Sequence, residues 1–246
     1  MFNRVLQENS VGLTGAVRRR SRKVSDPRVM TNSSAVSIRK FDPDDREDVR
    51  RISRDSAFLG EPLSFCFDDD ETLADALTLY FTDYEPDSSF VAVQEDRVIG
   101  YVIGTKNSRI MERIFSTRVM PMLFARTIRR GTLFRRNARR FLLHAMMSFL
   151  KGEFSTSNLS REYPAALHIN IDRNFRGRKI GTQLMEHYLK FLGSEGLAGV
   201  CVSTMSERAK SFFERLGFGV LLVGKRTYLR YCLRRDLPFY VLGKKL

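Results

Sequence analysis

Arg173, Arg176, Arg178 and Lys179 crowd a turn that also holds Gly177 and Gly181, and an apolar helical pattern begins directly behind it. The first N–H groups of a helix lack intrahelical partners and carry the positive end of its dipole. Glycine lets the backbone come close to a bulky anion. Four cations at such a junction suit a pyrophosphate. The alternative is a solvated basic turn whose glycines only reverse the chain. The stretch Ala165–Ile171 leads into the turn as a strand, and His168, Asn170 and Asp172 alternate on one of its faces. That polar row fits either a proton relay, with His168 as base because imidazole titrates near neutrality, or a hydrogen-bonded structural row.

The surrounding pattern supplies elements to hold these residues. A helix carries Ile180, Leu184, Met185, Tyr188, Leu189 and Leu192 at helical spacing, with Gly193 as its stop. Further strands are expected over 198–204, 219–223 and 239–243. Ser206 caps a helix bearing Ala209, Phe212, Phe213 and Leu216, ended by Gly217. Upstream, 36–41 alternates as a strand. Asp42-Pro43 opens one helix, with Val49, Ile52 and Ala57 inward, and 68–70 heads a second, carrying Leu73, Leu77, Tyr80 and Phe81. Phe90 to Gln94 and Val98 to Ile103 read as a hairpin around Glu95-Asp96.

The chain has 246 residues, 43% of them hydrophobic, enough for one well-buried domain. No apolar run reaches the roughly 18 residues of a membrane span. The net charge of +14 favours anionic partners. It is concentrated: 106–151 holds twelve Lys/Arg against Glu112, and 1–35 holds seven against Glu8 and Asp26. The first 35 residues read as a disordered basic tail, and being Arg-rich and acid-poor they also fit a mitochondrial transit peptide. In 106–151, Pro121 and Gly131 mark off helix-sized pieces in which Ile110, Ile114, Met122, Phe141, Met146 and Leu150 recur among arginines. This is a basic helical insertion, 106–160, that either receives an anion (an acidic substrate, a membrane surface or nucleic acid) or covers the sheet with its apolar side. Cys66, Cys201 and Cys232 are far apart and odd in number, which suggests free thiols and a cytoplasmic protein. His144, His168 and His187 show no metal-ligand spacing, so no metal is expected.

The order of elements resembles the GNAT superfamily of acyl-CoA N-acyltransferases. Its (Q/R)-x-x-G-x-(G/A) hallmark is matched by Arg176 to Gly181, with Lys179 at the middle glycine. A second hallmark, N-x-x-A-x-x-x-Y-x-K-x-G-F, is met by Ser206, Ala209, Phe213, Arg215, Gly217 and Phe218. The likeness is sharp over 165–218 and a matter of pattern over the rest of 36–246. It implies an α/β fold with a mixed, mostly antiparallel central sheet flanked by helices. It implies acetyl-CoA as acyl donor and direct attack by an amine acceptor, small molecule or protein. Backbone groups of Ile169, Asn170 and Ile171 would pair with the pantetheine arm. Arg176, Gly177, Arg178, Lys179, Ile180, Gly181 and Thr182 would hold the pyrophosphate, and Ser206, Ala209 and Phe213 would flank the cofactor. Glu61 would overlie the acceptor, unless it is an ordinary loop carboxylate. Many relatives have a tyrosine at the Phe213 place to protonate the leaving thiolate. Its loss leaves that proton to water or another group, makes it dispensable, or leaves a coenzyme A-binding module without efficient turnover. An adaptor for anionic surfaces through 106–151 is a further reading.

Overall fold

Short-range chemistry starts the elements where the sequence marks them. In the computed structural model, which describes residues 35–153 and 159–246, strand β1 (Ser37–Lys40) ends at a reciprocal cap. Asp42 accepts from the Asp44 N–H, the Asp45 carboxylate accepts from the Asp42 N–H, and Pro43 follows. Helix α1 (Arg46–Asp55) then buries Val49 and Ile52. Asp69 caps α2 (Asp70–Asp83) through the Thr72 N–H at 3.0 Å. Strands β2 (Ser89–Gln94) and β3 (Arg97–Thr105) join through Glu95 and Asp96, both at positive φ (52° and 58°), a two-residue turn that matches strand twist. The basic tail expected over 1–35 lies, but for Ala35, outside the described residues.

Seven strands form one sheet in the order β1-β2-β3-β4-β5-β7-β6, with β4 (Ala165–Ile171), β5 (Gly199–Thr204), β6 (Gly219–Arg226) and β7 (Leu237–Lys245). Neighbours are antiparallel except β4 and β5. Period-two alternation sends Leu167, Ile169 and Ile171 to one face, where Ile180, Leu184, Met185, Tyr188 and Leu192 of α6 (Ile180–Ser194) make the main core. On the other face Val49 and Ile52 of α1 pack on Tyr101 and Ile103 of β3. Gly104 is required by α6: a Cβ there would lie 1.9 Å from the Tyr188 hydroxyl and 2.6 Å from the Ala166 carbonyl. Helix α6 runs past Gly193, and Gly196, at φ 70°, is the residue that leaves it.

The basic stretch is helical: α3 (Ser108–Ile114), a π-type turn over Phe115–Val119, α4 (Met120–Arg129) and α5 (Arg136–Leu150). Pro121 does not divide it. It sits in the first turn of α4, directly after the π-type turn, where a missing N–H is tolerated. Gly131, at φ 67°, does end α4. Part of the expected anion is internal. Buried Asp75 of α2 pairs with Arg50 of α1 and with Arg126 of α4 (2.5 Å), and Asp69 receives Thr132 and lies 3.8 Å from Arg130.

The expectation of three free thiols is corrected. Cys66, between α1 and α2, is bonded to Cys232 of α8 (Arg230–Leu233), and only Cys201 is free among the described residues. Sequence spacing hid this pair because 166 positions separate its members. With two of the three cysteines joined, cysteine content gives no support to a cytoplasmic location. No helix among the described residues is long and apolar enough to cross a membrane.

Candidate functional site

Strand β4 is fully paired on one side and half-paired on the other. It matches β3 from Gly100↔Ile171 to Thr105↔Ala166. It meets β5 only at Ala165↔Val200 and Ala166↔Cys201. Beyond Ala166 the two strands diverge, so the β4 edge over 167–171 offers backbone N–H and C=O groups to an extended ligand.

The turn at the end of β4 is built to present amides. The Asp172 carboxylate accepts from the Asn174 N–H at 3.1 Å and from Arg51 and Arg97 at 3.0 and 3.3 Å. Burial works against its charge, but these donors outweigh burial and hold it below the usual aspartate value. Gly177 and Lys179 both take left-handed backbone, φ 82° and 60°. The first bond into α6 runs from the Gln183 N–H to the Lys179 carbonyl at 3.1 Å. No side chain caps this helix, so the N–H groups of Ile180, Gly181 and Thr182 remain for an anion. Lys179, where the resemblance expects a glycine, holds left-handed backbone at a cost of about 1–2 kcal/mol. A Cβ on Gly181 would sit 3.4 Å from Phe212, an ordinary contact, whereas Gly177 has open space around it and serves by its φ. Arg178 lies over the Phe175 ring at 5.2 Å, and Arg173 and Lys179 are exposed.

Arg176 does something the sequence did not announce. Its Nε donates to the Ile171 carbonyl at 3.2 Å and its Nη2 to the Gly60 carbonyl at 2.8 Å. Gly60 belongs to a tight reversal in which Phe58 and Glu61 exchange backbone hydrogen bonds of 2.7 and 2.8 Å, with Leu59 and Gly60 at φ 52° and 96°. One guanidinium thus joins the β4–α6 turn to the reversal that carries Glu61.

His168 and Asn170 face the α1–α2 side and meet there with Tyr101. The Asn170 amide donates to the Tyr101 hydroxyl at 2.9 Å and lies 3.3 Å from the His168 Nε2, while Tyr101 Oη is 3.4 Å from Nδ1. Burial pushes the imidazole down to about 4 and the Tyr101 phenol up to about 12, so both are neutral near pH 7. Tyr101 was missed because it is a hairpin residue in an apolar run. No hydrogen bond among the described residues joins Glu61 to this trio.

On the far side of the divergence, the Ser206 hydroxyl accepts from the Ala209 N–H at 3.3 Å and starts α7 (Glu207–Arg215). Ala209 is half-buried beside the main core. Phe213 is 3% exposed and packs on Phe212 and Phe218, ring centroids 5.2 and 5.4 Å away. Its position carries packing and no proton. A phenol does stand just past the end of β5, where the Tyr228 hydroxyl is 3.7 Å from Met205 Sδ, and burial raises it to about 12. Leu63, Phe67, Phe141, Tyr228 and the Cys66–Cys232 bond form an apolar cluster between the α1–α2 link, α5 and the β6–β7 link. Among the described residues no cluster of His, Cys, Asp or Glu could hold a metal ion.

Residues 150–220 match a family model described as the acetyltransferase (GNAT) domain. No curated protein sequence matches the chain. Solved structures do. SsHAT is 24% identical with a TM-score of 0.66, covering 86% of this chain and 98% of its own. The polyamine N-acetyltransferase of Drosophila melanogaster, which forms N-acetylagmatine, is 19% identical with a TM-score of 0.57 and coverage of 86% and 100%. The yncA protein of Salmonella typhimurium, solved with its cofactor acetyl-CoA, is 13% identical with a TM-score of 0.54 and coverage of 87% and 95%. At these identities the likeness is one of fold.

Proposed function

We propose that this chain, a member of the GNAT superfamily, transfers the acetyl group of acetyl-CoA to the nitrogen of a small primary amine. One observation carries the reading: a β4 edge left open over 167–171 that runs straight into the unpartnered amides of Ile180, Gly181 and Thr182. An extended arm ending in a pyrophosphate fits both parts. When bound, acetyl-CoA supplies an activated thioester carbon. The chain's own groups do the rest. Backbone groups of Ile169 and Ile171 take the pantetheine arm as an added strand, whereas those of Asn170, against expectation, face Tyr101 on β3; the α6 amides take the pyrophosphate.

The amine enters from the α1–α2 side and must lose its ammonium proton before attack. Glu61, held by its reversal and by Arg176, is our choice to accept that proton, directly or through water. His168 at about 4 is a weak store for a proton, so we give the His168–Asn170–Tyr101 trio the task of orienting the acceptor. The thiolate draws its proton from Tyr228 or from solvent, since Phe213 has none to give. Agmatine belongs in the panel because the Drosophila neighbour forms its acetyl derivative.

The test mixes the full chain with acetyl-CoA and a panel of agmatine, spermidine, phenylethylamine and a lysine peptide, and follows free thiol release. Thiol release with one or more amines is expected. The buried Phe213 favours a second reading, a coenzyme A-binding module, which predicts thermal stabilisation by acetyl-CoA without thiol release on any amine. Absence of both stabilisation and release overturns the two readings together.

A further inference from the structure

We infer that the helical segment α3–α5 docks on an anionic lipid surface. Docking would involve no residue of the β4 edge, the α6 amides or the Glu61 reversal. The segment has two apolar sides. One is spent inside the protein: Leu123 packs under α2, and Ala138 and Phe141 close the cluster around Phe67 and Leu229. The other is left in water. Met120, Phe124 and Ile128 form an exposed stripe at four-residue spacing along α4. Leu143, Met146, Met147 and Leu150 form a second along α5. Phe134, in the turn between the helices, is 88% exposed. A solvated helix face would carry polar residues at these positions.

Charge decides what covers the stripes. Arg126, Arg130 and Lys106 find carboxylates on α2 and α6 or its end. Arg113, Arg118, Arg129, Arg136, Arg139 and Lys151 have no carboxylate within 4.0 Å among the described residues. Arg129 closes the α4 stripe, and Arg136 and Arg139 open the α5 stripe. A second copy of this chain would bring the unpaired arginines of both copies together with no carboxylate to offset them. Nucleic acid would neutralise the arginines and leave Phe134, Leu143 and Leu150 in water. An anionic bilayer satisfies both sets at once, with apolar side chains at the acyl boundary and guanidinium groups among the headgroups.

The test is sedimentation of the full chain with vesicles of phosphatidylcholine alone and with about 30% phosphatidylserine. Two variants accompany it: Phe134→Ser/Leu150→Ser, and Arg129→Gln/Arg136→Gln/Arg139→Gln. All these positions are exposed, and the melting temperature with coenzyme A checks that each variant is folded. Expected are binding to the serine-containing vesicles that weakens with salt, loss of about tenfold or more in the apolar variant, and about fivefold per charge removed in the other. Equal binding to both vesicle types, no binding to either, or undiminished binding by both variants overturns the inference. So does salt-sensitive binding to duplex DNA that the apolar variant retains, or a dimer in solution that the apolar variant dissolves without any vesicle binding.

Discussion

Lowering the pH from about 7.5 to about 5 should weaken this fold by about 2 kcal/mol through His168 alone. The imidazole lies on β4 against Tyr101 and Asn170, and burial takes it from 6.5 down to about 4. In the unfolded chain the ring takes up a proton as pH falls through about 6.5, whereas the folded ring waits until about 4. Between those values the unfolded state binds more protons, so stability falls as pH falls. It is level above that window and level again below it, as far as this group is concerned. The full separation of the two values is worth about 3 kcal/mol. At about pH 5 the unfolded ring is almost wholly charged and the folded ring about one-tenth charged, which gives the figure of about 2. Residual solvent contact of the ring makes this an upper figure. Asp69, Glu153 and Asp172 are held below their ordinary values, 3.8, 4.5 and 3.8, so their contribution is lost at more acid pH and stays largely outside the window. The measurement is urea unfolding of the wild type and His168→Gln at both pH values. The wild-type midpoint should drop, and the difference should shrink to a few tenths of a kcal/mol in the variant. A wild-type midpoint that does not move, or a variant that drops equally, refutes the argument.

Three further outcomes are expected. Glu61→Gln should lower kcat/KM by about 10²–10⁴-fold while leaving the thermal shift given by coenzyme A unchanged; steady-state kinetics beside a melting assay separate the two. Reduction of Cys66–Cys232, or Cys66→Ala, should cost up to about 5 kcal/mol, because the bond closes a separation of 166 residues in the unfolded chain; denaturant titration with and without reductant measures it, and coincident curves would sink the estimate. Gly104→Ala should destabilise by about 3 kcal/mol or more, since its Cβ would meet the Tyr188 hydroxyl and the Ala166 carbonyl, whereas Gly177→Ala meets no atom and should lose only the left-handed preference of glycine.

What could be read in advance was local. Asp42-Pro43, Asp69 and Ser206 act within three residues of themselves, so their caps were legible. Strand β4 fell on the expected residues because its apolar run is bounded by a charged turn. The half-open pairing of β4 was accessible only through family likeness, since nothing in either strand's composition says that the ladder stops at Ala166. Contacts between distant segments were hidden. Arg176 reads as one more cation of a basic turn until Gly60, 116 positions earlier, is brought beside it. Tyr101 reads as an ordinary hairpin residue until Asn170 reaches it. The arginines of α4 looked uncompensated because Asp69 and Asp75 lie on another helix, and Gly193 looked like a helix end because sequence cannot tell which of two nearby glycines turns left-handed.

The open edge of β4 has a consequence for the protein's life in solution. An unpaired strand edge inside a sheet is a template for another chain's strand, and it is the arrangement from which edge-to-edge aggregation begins. A ligand that fills it removes the template and adds RT ln(1 + [L]/Kd) to stability, about 2.7 kcal/mol when its concentration is a hundredfold above Kd. On the function proposed above, coenzyme A would be such a ligand, protecting the open edge of β4 as well as serving the reaction.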